Sequence, residues 1–122
     1  MNRNHQKKVL IIDDDPDIID STKTILDFAG YTAVGETNNH TIQRVIEVKP
    51  DLIFLDLWLT EIDGRELCRQ IKTHPKTKKI PVLLFSASRN IQQNAKEAQA
   101  NDYIAKPFEL DELLQKIDFL LN

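Results

Sequence analysis

Acidic side chains close the first and third apolar runs of this chain, a hydroxyl closes the fourth and an ammonium follows the fifth. KVLII leads into Asp13, Asp14 and Asp15; LIFL leads into Asp56; PVLLF leads into Ser86; and DYIA leads into Lys106 and Pro107. Three carboxylates gathered in one place repel one another unless one is protonated or a cation neutralises them. Ligands that are all carboxylate oxygens select a hard ion, Mg2+ or Mn2+, which keeps several waters and bridges readily to phosphate. With a lysine and a hydroxyl opposite, such a centre suits phosphoryl transfer. The ion and the ammonium neutralise phosphoryl oxygens, and an aspartate attacks phosphorus to give an acyl phosphate. Asp56 itself reads as a functional residue and not a surface one, because a carboxylate placed directly after four apolar residues is costly to bury without a partner.

These residues meet only if the strands that carry them run parallel. Short apolar runs alternate with longer amphipathic stretches five times along the chain. A helix is expected from Pro16 to Ala29, with Ile18, Ile19, Thr22, Ile25 and Leu26 on one stripe, Asp15 as its N-cap, Pro16 at its first position and Gly30 closing it. A strand near Thr32 to Gly35 precedes a helix bearing Ile42, Val45 and Ile46, begun by Asn39 or a neighbour and stopped at Lys49-Pro50. DLIFLD reads as a strand buried on both faces. Asp63-Gly64 reads as a turn, and Leu67, Cys68 and Ile71 mark the helix after it. PVLLFSA is the fourth strand, a helix follows around Asn90 to Ala100, and Asp102 to Ala105 is a brief fifth strand. A last helix carries Leu110, Leu113, Leu114, Ile117, Leu120 and Leu121. Parallel strands joined by helical crossovers make an α/β sheet covered on both faces, with ligands outside the carboxyl ends of the strands.

The segments KVLIIDDDPDI, LIFLDLWLTEIDG, LLFSA and DYIAKPF resemble the four signature segments of response-regulator receiver domains, the chemotaxis-regulator type of two-component signalling module. The resemblance spans essentially the whole chain. It implies a flavodoxin-like (βα)5 fold, doubly wound, with strand order 2-1-3-4-5, and a single receiver domain over residues 1–122, core about 7–121, with no output domain in this chain. It implies that Asp56 accepts a phosphoryl group from a phosphohistidine on a sensor histidine kinase or phosphotransfer protein. Asp13, Asp14, Asp56 and the backbone carbonyl of Trp58 would hold Mg2+, Ser86 and Lys106 would contact the phosphoryl oxygens, and Ser86 and Tyr103 would form the switch. The Lys106-Pro107 bond is expected to be cis on the same ground. A downstream protein partner would dock on the face formed by the fourth helix, fifth strand and fifth helix, or the phosphoryl group would pass along a relay. Thr60 stands where the family often has proline, and Gln99-Ala100 where Gly-Ala is common. Trp58 and Ser88 occupy the positions that set the access of water to the phosphoryl group.

Composition narrows the alternatives. The 19 acids and 16 bases leave a charge of −3; setting aside Asp13, Asp14 and Asp56 leaves 16 acids against 16 bases, a neutral body with one anionic pocket. An acidic chain without a Lys/Arg stripe argues against direct nucleic-acid contact, and the Lys76, Lys78, Lys79 cluster reads as a solvated loop. Apolar runs of four residues are too short to span a membrane, and the polar start carries no export signal. One cysteine, Cys68, forms no internal disulfide, and a reducing, cytoplasmic setting is expected. Asp15 reads as a helix cap before Pro16, and His5, His40 and His74 stand in polar contexts with no evident partner. A phosphoaspartate hydrolase would need an acid two residues after Asp56, where Trp58 stands, and a flavin phosphate would face Asp13 and Asp14. A pseudo-receiver that docks partners without phosphorylation is the alternative to a phosphorylated switch.

Overall fold

Residues 6–122 are described in a computed structural model. The expected alternation is present: β1 (Lys8–Ile12), α1 (Pro16–Phe28), β2 (Thr32–Glu36), α2 (Ile42–Val48), β3 (Leu52–Asp56), α3 (Gly64–Thr73), β4 (Val82–Ser86), α4 (Ile91–Ala98), β5 (Asp102–Ala105) and α5 (Leu110–Leu121). All strand pairs are parallel, in the order β2-β1-β3-β4-β5. The chain therefore reverses its direction of travel across the sheet after β2, leaving a crevice between the ends of β1 and β3.

Side chains alternate across a strand, so each strand feeds two cores. Leu10, Ile12, Ile53, Leu55, Val82 and Leu84 pack beneath α2, α3 and α4. Val9, Ile11, Leu52, Phe54, Leu83 and Phe85 pack beneath α1 and α5, where the Phe54 and Phe85 rings stack at 4.0 Å. Burial on both faces explains why the central strands are nearly continuous apolar runs. The same alternation, carried past the strand ends, sorts the chemical residues. Asp13, Asp56 and Lys106 share the parity of the α1/α5 face; Asp14, Ser86 and Tyr103 share that of the α2/α3/α4 face.

The cap of α2 falls on Thr41, a neighbour of Asn39: its hydroxyl accepts from the Arg44 N–H and donates to the Asn39 carboxamide oxygen. Two local readings are corrected. Asp63-Gly64 is more than a turn: Asp63 caps α3, accepting from the Arg65 N–H at 2.9 Å, and Gly64 is its first residue. Helix α4 ends at Ala98 because Gln99 adopts φ 66°, the left-handed conformation that glycine reaches at less cost. Asp15 caps α1 through the Asp17 N–H, as expected, and the Lys106-Pro107 bond is cis. His5 lies outside the described residues. No helix among them is long and apolar enough to cross a membrane.

Candidate functional site

The register sets three functional groups on adjoining strand ends. Asp56 on β3 pairs with Phe85 on β4, and Ser86 on β4 pairs with Ala105 on β5, directly before Lys106. Two hydrogen bonds carry the ladder into the loops: Leu57 N–H donates to the Phe85 carbonyl at 3.0 Å, and Lys106 N–H to the Ser86 carbonyl at 2.9 Å. The loops therefore leave the sheet in fixed relation to one another.

Asp56 is 7% exposed and Asp13 3%. Lys106 Nζ stands 3.9 Å from Asp56 Oδ1 and 3.8 Å from Asp13 Oδ2, facing both without a close hydrogen bond to either. Its Nζ lies over the Phe85 ring, 4.6 Å from the centroid, and the side chain lines an apolar groove of about 400 Å³ with Ile18 and Ile25 of α1. That packing leaves the ammonium directed at the acids. Burial pushes the Asp56 carboxyl up to about 6; Lys106 recovers part of the cost and Asp13 adds to it. Asp13 is raised for the same first reason, with the Asp15 N–H, at 2.8 Å from Oδ1, and Lys106 opposing. Two buried acids beside one ammonium leave an excess of negative charge that a further cation would relieve.

Gly64 sets how tightly the loop after β3 closes. A Cβ there would lie 2.4 Å from the Asp56 carbonyl oxygen and 2.5 Å from that of Leu57, so any side chain would push the first turn of α3 off the end of β3. Trp58 pairs with Asp63 across this loop and is 53% exposed, with the Arg65 guanidinium 5.9 Å from its ring. Its N–H lies 3.4 Å from Asp56 Oδ1. Ser86 is buried and accepts from the Ser88 N–H at 3.0 Å. Tyr103 is half-buried against the α4-side core, with Lys116 Nζ 5.6 Å from its ring centroid.

Asp14 stands apart from this group. Its carboxylate accepts from both the backbone N–H and the hydroxyl of Thr60, and Oδ1 lies 3.4 Å from His40 Nε2. The reading of His40 as a histidine in a polar context is thus corrected in part: it is buried, with Nε2 beside an acid of the pocket, while neither ring nitrogen is hydrogen-bonded. Sequence reasoning missed it because the polar run TNNHT, in which His40 lies, resembles any solvated loop. His74 accepts from the Lys76 N–H in a turn. Among the described residues, no three His, Cys, Asp or Glu side chains are gathered closely enough to chelate an ion as they stand. The donor set nevertheless fits a hard cation: the carboxylates offer oxygen only, and buried Asp13 Oδ2 has no hydrogen-bond partner.

A doubly wound five-stranded sheet with acids, a hydroxyl and an ammonium at adjoining strand ends defines a receiver-type signalling module. The chain belongs to the response regulator receiver domain family, whose profile matches residues 9–118. It is 37% identical over 118 residues to the DNA-binding dual master transcriptional regulator RpaA of Synechocystis, covering 94% of this chain and 49% of that protein. It is 31% identical to the response regulator MprA of Mycobacterium ulcerans, covering 94% of this chain and 50% of that one. The chain thus spans about half the length of these relatives. Among solved structures, a putative response regulator from Chloroflexus aurantiacus superposes with a TM-score of 0.85 at 34% identity, covering 95% of this chain and 98% of that one. The receiver domain of a signal transduction histidine kinase from Syntrophus aciditrophicus gives 0.84 at 31% identity, covering 94% and 89%. Receiver domains are modules of two-component signalling, and this chain has their fold.

Proposed function

We propose that Asp56 is the phosphoacceptor of a phosphorylation-dependent switch, taking a phosphoryl group from a phosphohistidine on a sensor histidine kinase or phosphotransfer protein. The observation that carries this reading is the buried Asp56 carboxylate, which shares the Lys106 ammonium with Asp13 at a sheet edge. An Asp56 oxygen attacks phosphorus, the phosphorus–nitrogen bond of the donor breaks, and the donor imidazole leaves with the electron pair. Lys106 is placed to meet the oxygens that gather charge, and Ser86 to donate its hydroxyl to one of them. Asp13, Asp14, Asp56 and the Trp58 carbonyl would hold Mg2+, or Mn2+, which when bound supplies neutralising charge to the phosphoryl oxygens. The product carries roughly two negative charges where Asp56 carried one. Ser86 and Tyr103 share one face of the sheet, so a shift of Ser86 toward that charge frees space beside Tyr103 and changes the α4/β5/α5 face. That face carries an exposed Phe119 and the Lys116–Asp102 pair at 3.1 Å, groups suited to a protein partner.

The test is incubation with a small acyl-phosphate donor and Mg2+, followed by intact-mass measurement. One phosphoryl adduct is expected, abolished by chelation of the metal and by Asp56→Asn. An adduct that survives Asp56→Asn refutes the assignment, and the lack of any adduct favours a docking module that works without phosphorylation.

A further inference from the structure

Asp14 is held by groups that phosphoryl transfer does not use. Oδ2 accepts both hydrogen bonds from Thr60, while Oδ1 faces His40 Nε2 at 3.4 Å. The His40 side chain is 2% exposed, yet neither of its ring nitrogens has a hydrogen-bond partner. A buried polar ring left unsatisfied is rare and costly, and its position beside a carboxylate oxygen gives it one available acceptor. Asp14 therefore has more donors around it than it uses: two from Thr60 engaged, and one from His40 whenever the ring carries its proton on Nε2.

We propose that Thr60 and His40 are alternative partners that position Asp14. Thr60 latches the carboxylate in the resting molecule; when Asp14 is drawn to a cation, Thr60 lets go and His40 becomes its hydrogen-bond donor. This rests on the reading of Asp13, Asp14 and Asp56 as a divalent-cation site. An ion that draws on Asp14 competes with both Thr60 donors for the same carboxylate. Oriented ligands keep outer partners, and His40 is the buried group placed to be that partner. Thr60 lies four residues beyond Asp56, in the loop that also carries Trp58, so its release loosens the segment between β3 and α3. A proline at this position, having neither N–H nor hydroxyl, would have no such latch. The latch is a property of this chain's own residue, and it sets an opposing term on cation affinity.

The experiment compares Mg2+ binding by calorimetry to the metal-free chain and its Thr60→Val and Thr60→Ser variants. Valine keeps the shape and the N–H but lacks the hydroxyl, so it binds roughly threefold to tenfold more tightly than the parent, the worth of one partly solvated hydrogen bond to a carboxylate. Serine restores the donor and the parental affinity. In the parent chain, NMR reads the exchange directly: Mg2+ moves the Thr60 amide proton upfield as its bond to Asp14 is lost, and the His40 ring nitrogen signal shifts as that bond forms. Mg2+ binding with equal affinity in parent and Thr60→Val, or a Thr60 amide unmoved at saturation, overturns the latch while leaving the cation site in place. Failure of the parent and both variants to take up Mg2+ overturns the cation site, and the latch with it.

Discussion

Replacing Asp56 by asparagine should make the metal-free protein more stable near neutral pH, although it removes the proposed phosphoacceptor. Burial lifts the Asp56 carboxyl from its ordinary 3.8 to about 6. A carboxyl raised on folding is satisfied while it keeps its proton. Its contribution is present in full below the unfolded value and is lost as pH rises through the folded one. By about pH 7.5 the folded protein carries an ionised Asp56 that the unfolded chain would hold more cheaply, and the deficit is about 3 kcal/mol. The carboxylate is 7% exposed, so solvent screening takes little from that figure. Asparagine resembles the protonated acid in shape and carries no charge. Urea unfolding in excess chelator should therefore show Asp56→Asn more stable by about 3 kcal/mol at pH 7.5, roughly 10 °C in Tm for a chain of this size. At pH 4.5 the unfolded acid is only partly ionised while the folded one stays protonated, and the gain should shrink to about 1 kcal/mol. A variant no more stable than the parent at pH 7.5, or a gain that does not diminish in acid, would refute the argument that desolvation dominates at Asp56.

Gly64→Ala should cost about 2–4 kcal/mol, because the added methyl meets two backbone carbonyl oxygens that no rotamer change can move aside; a thermal melt with the midpoint unchanged would show that the first turn of α3 yields freely. Cys68 is buried and its thiol is pushed up to about 12, so roughly one molecule in ten thousand is a thiolate at pH 8. Iodoacetamide should leave the folded protein unlabelled and modify it fully in urea, and rapid labelling of the native chain would contradict that burial.

Much of this molecule follows from local pattern. Runs such as LIFLD and VLLFS have the length and β-branched or bulky apolar content of strands buried on both faces, and the stripes after them have helical spacing, so the order of elements is legible without coordinates. Caps are less so. Asn39, Thr41 and Asp63 all have side-chain oxygens able to accept from a helix N-terminus. Whether each becomes a cap, a cap's partner or a turn residue depends on where the preceding strand releases the chain.

The chain's own order of residues determined the chemistry: carboxylates after the first and third runs, a hydroxyl after the fourth, an ammonium after the fifth, and strand parity that puts Asp13, Asp56 and Lys106 on one face. Only the tertiary structure decided which acid meets which partner. Asp14 lies 46 positions from Thr60 and 26 from His40, and those contacts exist because β1 sits between β2 and β3 in the sheet. No periodicity along the chain encodes that arrangement, since strand order and register are set by pairings between distant segments. The loops they bring together, rather than the strands themselves, place His40 and Thr60 on either side of the same carboxylate.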